Sequence, residues 1–175
     1  MEKVILVDKN DHPIGEMEKM EAHTKGLLHR AFSIFIFNEQ NELMLQRRAL
    51  SKYHSGGLWT NTCCSHPRPG ETILEAGNRR LLEELNFRTD LSYSFSFIYR
   101  AELDADMIEH ELDHVLIGHY NSLTEPNPEE VMELKFTTLS KIETDIATNG
   151  EMYTVWFKVI FERVKNSMLS GKKRP

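Results

Sequence analysis

Between Glu71 and Leu85 the residues Leu74, Gly77, Leu81 and Leu85 recur at helical spacing and draw one apolar stripe along the chain. Pro67 and Pro69-Gly70 stop regular structure just before it, and acids crowd the first turn, where the helix dipole favours them. The spacing predicts a helix over 71–85 that has only one face to bury. Its neighbours in sequence are β-rich, so that face has to lie on a sheet. Ahead of it, Val4–Asp8 and Pro13–Met17 read as a hairpin around Lys9-Asn10-Asp11, with a helical turn near Glu18–His23. Arg30–Asn38 alternates apolar and polar residues and is predicted to pair, through the turn Asn38-Glu39-Gln40-Asn41, with Leu43-Met44-Leu45. A loop with Gly56-Gly57 leads to one short strand over Trp59–His66. Beyond the helix come β-rich runs at Leu91–Ala101 and Glu109–Tyr120, a turn at Pro126-Asn127-Pro128, a strand near Leu134–Thr138 and helices over Leu139–Thr148 and Met152–Leu169. Strands before, between and after helices predict an α+β fold, a mixed sheet sandwiched between helices.

No repeat or Gly/Ser linker divides the 175 residues, so the whole of 1–175 is expected to be one domain, with a frayed basic tail from about residue 170 to Pro175. A chain of this length buries about 70% of its unfolded surface and needs no disulfide or structural metal to hold a core. Lys and Arg number 21 against 27 Asp and Glu, a net charge of −6. That balance argues against a coat for nucleic acid or anionic membrane and leaves room for a local basic pocket. The two cysteines, Cys63 and Cys64, are adjacent and badly placed to cross-link distant segments, which fits a reducing cytoplasm. The first residues lack the apolar core of a signal peptide, and the apolar run Phe32–Phe37 is far too short to span a bilayer.

Two segments concentrate chemistry. In Cys63-Cys64-Ser65-His66, Cys64 and His66 would share a strand face, which suits a thiol whose pKa is lowered by a neighbouring cation or metal. A buried Cys beside an incidental surface His has the same spacing. In Glu109-His110-Glu111-Leu112-Asp113-His114 the three acids share one face and the histidines the other. Carboxylates so placed need a cation, a shared proton or open water. His23 and His29 are too far apart for a helical i, i+4 pair, and each alone reads as a surface residue. Joined with His66 and the two glutamates they would make a nitrogen and oxygen set suited to Zn²⁺, Mn²⁺ or Mg²⁺. On the helix, Glu83 lies opposite the apolar stripe, while Arg80 and Glu84 flank it.

Gly26-Leu27-Leu28-His29-Arg30-Ala31-Phe32-Ser33, Thr60–Pro67, Glu109-His110-Glu111 and Trp156-Phe157-Lys158, in that order, resemble the segments of the type I isopentenyl-diphosphate isomerase family, a metal-dependent branch of the Nudix fold. The helix is similar to the Nudix signature with departures. Arg80 stands where hydrolases carry the first of three metal-gathering glutamates, leaving Glu83 and Glu84, and Ser65 and Asn86 replace signature glycines. A cation in that place disfavours multi-metal hydrolysis and suits holding an intact diphosphate.

The resemblance implies interconversion of isopentenyl and dimethylallyl diphosphate through a tertiary carbocation. Cys64 and Glu111 would be acid and base on opposite sides of the substrate, Tyr99 would support Glu111, and Trp156 would lie over the cation. His23, His29, His66, Glu109 and Glu111 would ligate one divalent metal, and Glu84 a second Mg²⁺ arriving with the diphosphate; Mn²⁺ or Zn²⁺ also suits the His/Glu site. Lys19, Arg48, Lys52 and Arg80 would neutralise the diphosphate. The expected partner is a small-molecule substrate, with no nucleic acid or membrane, and the expected state a monomer or weak dimer. Two other readings stand beside it: a Nudix hydrolase of a nucleoside diphosphate derivative, and a non-catalytic Nudix ligand-binding domain.

Overall fold

The computed structural model describes residues 2–52, 54–103 and 107–171. Its elements are strands β1 (Lys3–Val7) and β2 (Pro13–Glu18), helix α1 (Lys19–Lys25), strands β3 (His29–Phe37), β4 (Leu43–Arg48), β5 (Trp59–Thr60) and β6 (Cys63–Ser65), and helix α2 (Ile73–Leu85). Strands β7 (Leu91–Glu102), β8 (Ile108–His119) and β9 (Val131–Thr137) follow, then helix α3 (Leu139–Asn149), a 3₁₀ turn (Gly150–Met152) and helix α4 (Val155–Gly171). Among the described residues nine strands share one sheet.

Strand β3 organises that sheet. It runs parallel to β8 over its full length, with His29 opposite Glu111 and Phe37 opposite His119, and antiparallel to β6 at Phe32–Ile34. Parallel strands need a long crossover, and α2 lies within it. Phe32, Ile34 and Ile36 pack with Ala76, Leu81 and Leu85 of α2, whereas Phe35 and Phe37 pack with Ile160, Phe161 and Val164 of α4. The mixed sheet therefore lies between helical layers, and the α+β expectation holds. The alternation read in 30–38 does not mark a half-exposed strand: β3 is central and covered by helices on both faces, as parallel strands usually are. The predicted hairpin with β4 survives only at Phe37 opposite Leu43; β4 then diverges to pair with β5 and β9.

The single strand expected over Trp59–His66 is broken in two. Asn61 Nδ2 donates to the carbonyls of Ile34 and Cys63, and Thr62 Oγ1 donates to Met44 O and accepts from Ile36 N. Side chains replace ladder bonds there, so the chain crosses from β4 to β3. Within α2, Leu74 is exposed, because Ala76 and Glu84, with Gly77, Leu81 and Leu85, are the residues that turn inward. Gly77 lets the helix approach closely: a Cβ there would lie 2.9 Å from Leu91 Cδ1 and 3.0 Å from Leu116 Cδ1, so those side chains would have to shift. Strand β9 begins at Val131, and α4 begins at Val155 because the 3₁₀ turn occupies 150–152. Helix α4 continues through residues 170 and 171, and residues 172–175 of the expected tail lie outside the described residues. No helix among the described residues is long and apolar enough to cross a membrane.

Thr72 caps α2 with a reciprocal box: its hydroxyl accepts from Glu75 N, and the Glu75 carboxylate accepts from Thr72 N. Thr72→Ala is expected to cost about 1 kcal/mol. Thermal unfolding of the variant should show the midpoint lowered by roughly 2–4 °C, and an unchanged midpoint would refute the cap's contribution.

Candidate active site and metal centre

His29 opens β3, Glu111 sits opposite it on β8, His66 follows β6, and His23 lies on α1, which packs against β8. Their ligand atoms lie within 4.8 Å of one another, and all four residues are buried. Neither His23 nor His29 is the surface residue its isolated position suggested; their exposures are 1% and 0%. His23 Nδ1 is 2.8 Å from Lys19 O and His29 Nδ1 is 2.8 Å from Leu27 O. A carbonyl only accepts, so each Nδ1 carries the proton and each Nε2 offers a lone pair. His29 Nε2 lies 3.2 Å from His66 Nε2, which lies 3.0 Å from Glu111 Oε1. Lone pairs this close repel unless a proton or a cation lies among them. Burial and the neighbouring histidines pull His23 down to about 4, and burial also lowers His66, so these two rings favour the neutral form. Imidazoles with one carboxylate form the donor set a divalent cation takes, and the carbonyls of Lys19 and Leu27 already fix the tautomers of His23 and His29.

Beside this group the acidic face of β8 is buried rather than open to water: Glu109 and Asp113, like Glu111, are enclosed. The Tyr99 hydroxyl, opposite Glu111 on β7, lies 2.9 Å from Glu109 Oε2 and 2.6 Å from Glu111 Oε2. One hydroxyl supplies one proton. Burial and the charge of Glu111 push Glu109 well above the usual carboxylate range, so Glu109 carries the second. For Glu111 burial acts upward too, but His29 and His66 outweigh it and hold the carboxyl low. Burial and the two acids push the Tyr99 phenol up. Glu109 is thus joined to the site through Tyr99 and lies outside the four-residue group. Asp113 Oδ2 accepts from Ser33 Oγ at 2.8 Å.

The adjacent cysteines serve different layers. Cys63 packs with Ala76 and Leu81 beneath α2, and Cys64 packs on the α4 side. Both are free thiols. Cys64 lines a cavity of about 110 Å³ together with His66, Tyr99, Glu109, Glu111 and Trp156. The expected lowering of its pKa is corrected. Burial pushes the Cys64 thiol up, Arg48 opposes this, and Glu84, Glu109 and Glu111 add to it, so the protein's own groups keep it protonated. Trp156 is placed by a clip at the start of α4, where Thr154 N donates to Trp59 O and Thr154 Oγ1 to Thr60 Oγ1.

Lys19, Arg48, Lys52 and Arg80 all border the same cavity. Arg48 lies 5.2 Å from the Trp156 ring centre. Lys19 pairs with Glu2, Lys52 with Glu130, and Arg80 with Glu83, Glu84 and Glu130. The Nε–H groups of Arg48 and Arg80 are buried without a hydrogen-bond partner. Leaving such donors unmet costs about 1–3 kcal/mol each, so they suit an anion. Glu84, buried against Arg80 and Gln46, sits behind the cavity wall. Three lining residues carried no signal in the sequence: Glu2, His54 and Glu130. His54 is held edge-on to Trp156 at 5.5 Å between ring centres, within an irregular loop that periodicity does not address.

Residues 27–157 match the NUDIX domain family. The isopentenyl-diphosphate Delta-isomerase of Pectobacterium atrosepticum is 49% identical over 162 residues, covering 93% of this chain and 90% of the relative. A protein of Photorhabdus laumondii named isopentenyl-diphosphate Delta-isomerase 2 is 50% identical over 159 residues, covering 91% and 90%. In fold, the chain is similar to the crystal structure of DR0079 from Deinococcus radiodurans, with a TM-score of 0.76 at 20% identity over 93% of this chain and 98% of that one. The chain belongs to the Nudix family and, within it, to the isopentenyl-diphosphate Delta-isomerases.

Proposed function

We propose that the chain interconverts isopentenyl diphosphate and dimethylallyl diphosphate, with Cys64 and Glu111 moving the protons. One observation carries this assignment of roles: a thiol, a pair of acids joined by a tyrosine, and a tryptophan share one small cavity with four cationic side chains. Lys19, Arg48, Lys52 and Arg80, which all line the cavity, anchor the diphosphate. His23, His29, His66 and Glu111 hold a divalent metal, Mg²⁺ or else Mn²⁺ or Zn²⁺, with Glu109 beside them and Glu84 serving a second Mg²⁺ at the diphosphate end. The bound metal supplies positive charge that orients Glu111 and alters its proton affinity.

Isomerisation adds a proton at one carbon and removes one at another, through a tertiary carbocation. The face of Trp156 stabilises that charge and offers no lone pair to trap it. Cys64 and Glu111 exchange roles with direction, which requires protonation states set apart. Burial keeps the proton on Cys64, and a cation held by Glu111 would keep that carboxylate ionised, which sets them apart. Tyr99 links Glu111 to the proton on Glu109. In this reading the whole chain is one catalytic domain, working in the cytoplasm as a monomer or weak dimer on a small-molecule substrate, without nucleic acid or membrane.

The test is incubation with isopentenyl diphosphate and Mg²⁺ in deuterated water, followed by NMR. Solvent deuterium should enter the isomerised product with no release of phosphate or pyrophosphate. Metal-dependent phosphate release from nucleotides without isomerisation would overturn the reading in favour of a hydrolase.

A further inference from the structure

Two cations lining the cavity come from separate elements, Lys52 from the loop after β4 and Arg80 from the third turn of α2. A single carboxylate joins them. Glu130 Oε2 accepts from Lys52 Nζ, and Glu130 Oε1 accepts from Arg80 Nη2 at 3.2 Å. The same residue fixes the loop from below, since its carbonyl accepts from Ala49 N at 2.9 Å. Glu130 is itself anchored, donating its own N–H to Asn127 O at 3.0 Å. The backbone of the loop is closed by its own bonds, Gly57 N to Arg48 O at 3.0 Å and Lys52 N to Ala49 O at 3.2 Å, so what Glu130 adds is the placement of the Lys52 side chain.

We infer that Glu130 is a positioning residue for the diphosphate end of the site, holding Lys52 and Arg80 in binding geometry before substrate arrives. The inference rests on the reading of these two cations as diphosphate ligands. A lysine side chain carries a large rotamer entropy, and immobilising it beforehand removes that cost from binding. Glu130 does this without consuming the cations. Lys52 has three N–H donors and gives one to Glu130. The carboxylate therefore spaces the two cations and leaves two Lys52 N–H donors for a ligand.

The experiment is a double-mutant cycle of Glu130→Gln and Lys52→Met in the metal-loaded enzyme, reading KM, kcat and inhibition by inorganic pyrophosphate. Glutamine keeps the shape but cannot accept as an anion from both cations. Glu130→Gln should raise KM and the pyrophosphate inhibition constant together, by about three- to tenfold, with kcat within about twofold. In the Lys52→Met background the same change should cost markedly less, because its target is gone; a merely structural role would give equal, additive losses. Glu130→Asp, a methylene short of spanning both cations, should not rescue, and thermal midpoints confirm that each variant is folded. An unchanged or lower KM for Glu130→Gln, or additivity in the cycle, overturns the inference while leaving the diphosphate reading standing. Lys52→Met without effect on KM or pyrophosphate inhibition overturns both.

Discussion

Cys64→Ala is expected to lower kcat by at least the 10²- to 10⁴-fold typical of removing a general acid or base, while substrate still binds. The thiol borders the cavity with Glu111, Tyr99 and Trp156, and alanine removes its proton without filling or emptying much space. The neighbouring thiol is the control. Cys63 is fully buried among Ala76, Leu81 and Met44 on the α2 side, so Cys63→Ala should cost roughly 1 kcal/mol of stability and leave turnover per folded molecule unchanged. Steady-state kinetics on both variants, normalised to folded protein, check this. An active Cys64→Ala enzyme, or a folded but dead Cys63→Ala one, would remove Cys64 from the mechanism.

Stripping the protein with a chelator is expected to abolish isomerisation, and adding back a divalent cation to restore it. The four converging ligand atoms of His23, His29, His66 and Glu111 are the basis. His66→Ala removes one of the four and should lower metal content well below one per chain. Glu109→Gln should lower it less, because Glu109 reaches the centre through the Tyr99 hydroxyl. Elemental analysis after dialysis measures both. Full stoichiometric metal in His66→Ala would show the centre to be elsewhere.

Much of the fold was legible because its signals are local. The helix α2, the turn at Asn38–Asn41 and the β-rich runs each show in a short window, and most elements lie within a few residues of where the patterns put them, β9 starting earlier, at Val131, and the 59–66 strand being divided. Opposite facing of Cys63 and Cys64 followed from strand geometry alone, and the structure assigns them to different layers. What failed was whatever depends on distant partners. The break at Asn61-Thr62 is made by bonds to Ile34, Ile36 and Met44, between 18 and 27 residues away. His23 and His29 read as surface because their burial is decided by β8, some 80 residues on. The acids of β8 were ambiguous for the same reason, since spacing says which share a face and nothing about what covers it. Glu130 and His54 had no pattern at all, being placed by irregular chain.

The pairing of His29 with Glu111 across the parallel strands β3 and β8 has a further consequence. Slippage of β8 by one residue would turn every one of its side chains to the other face, replacing Glu111 with Leu112 or His110. The metal centre can assemble only in the correct alignment, and its donors come from α1, β3, β8 and the segment after β6. Any cation captured there binds the native pairing and no slipped one, so at a hundredfold excess over its dissociation constant it would favour that pairing by about 2.7 kcal/mol. Cofactor loading thereby proofreads strand alignment, and a chain assembled out of step would announce itself by failing to take up metal.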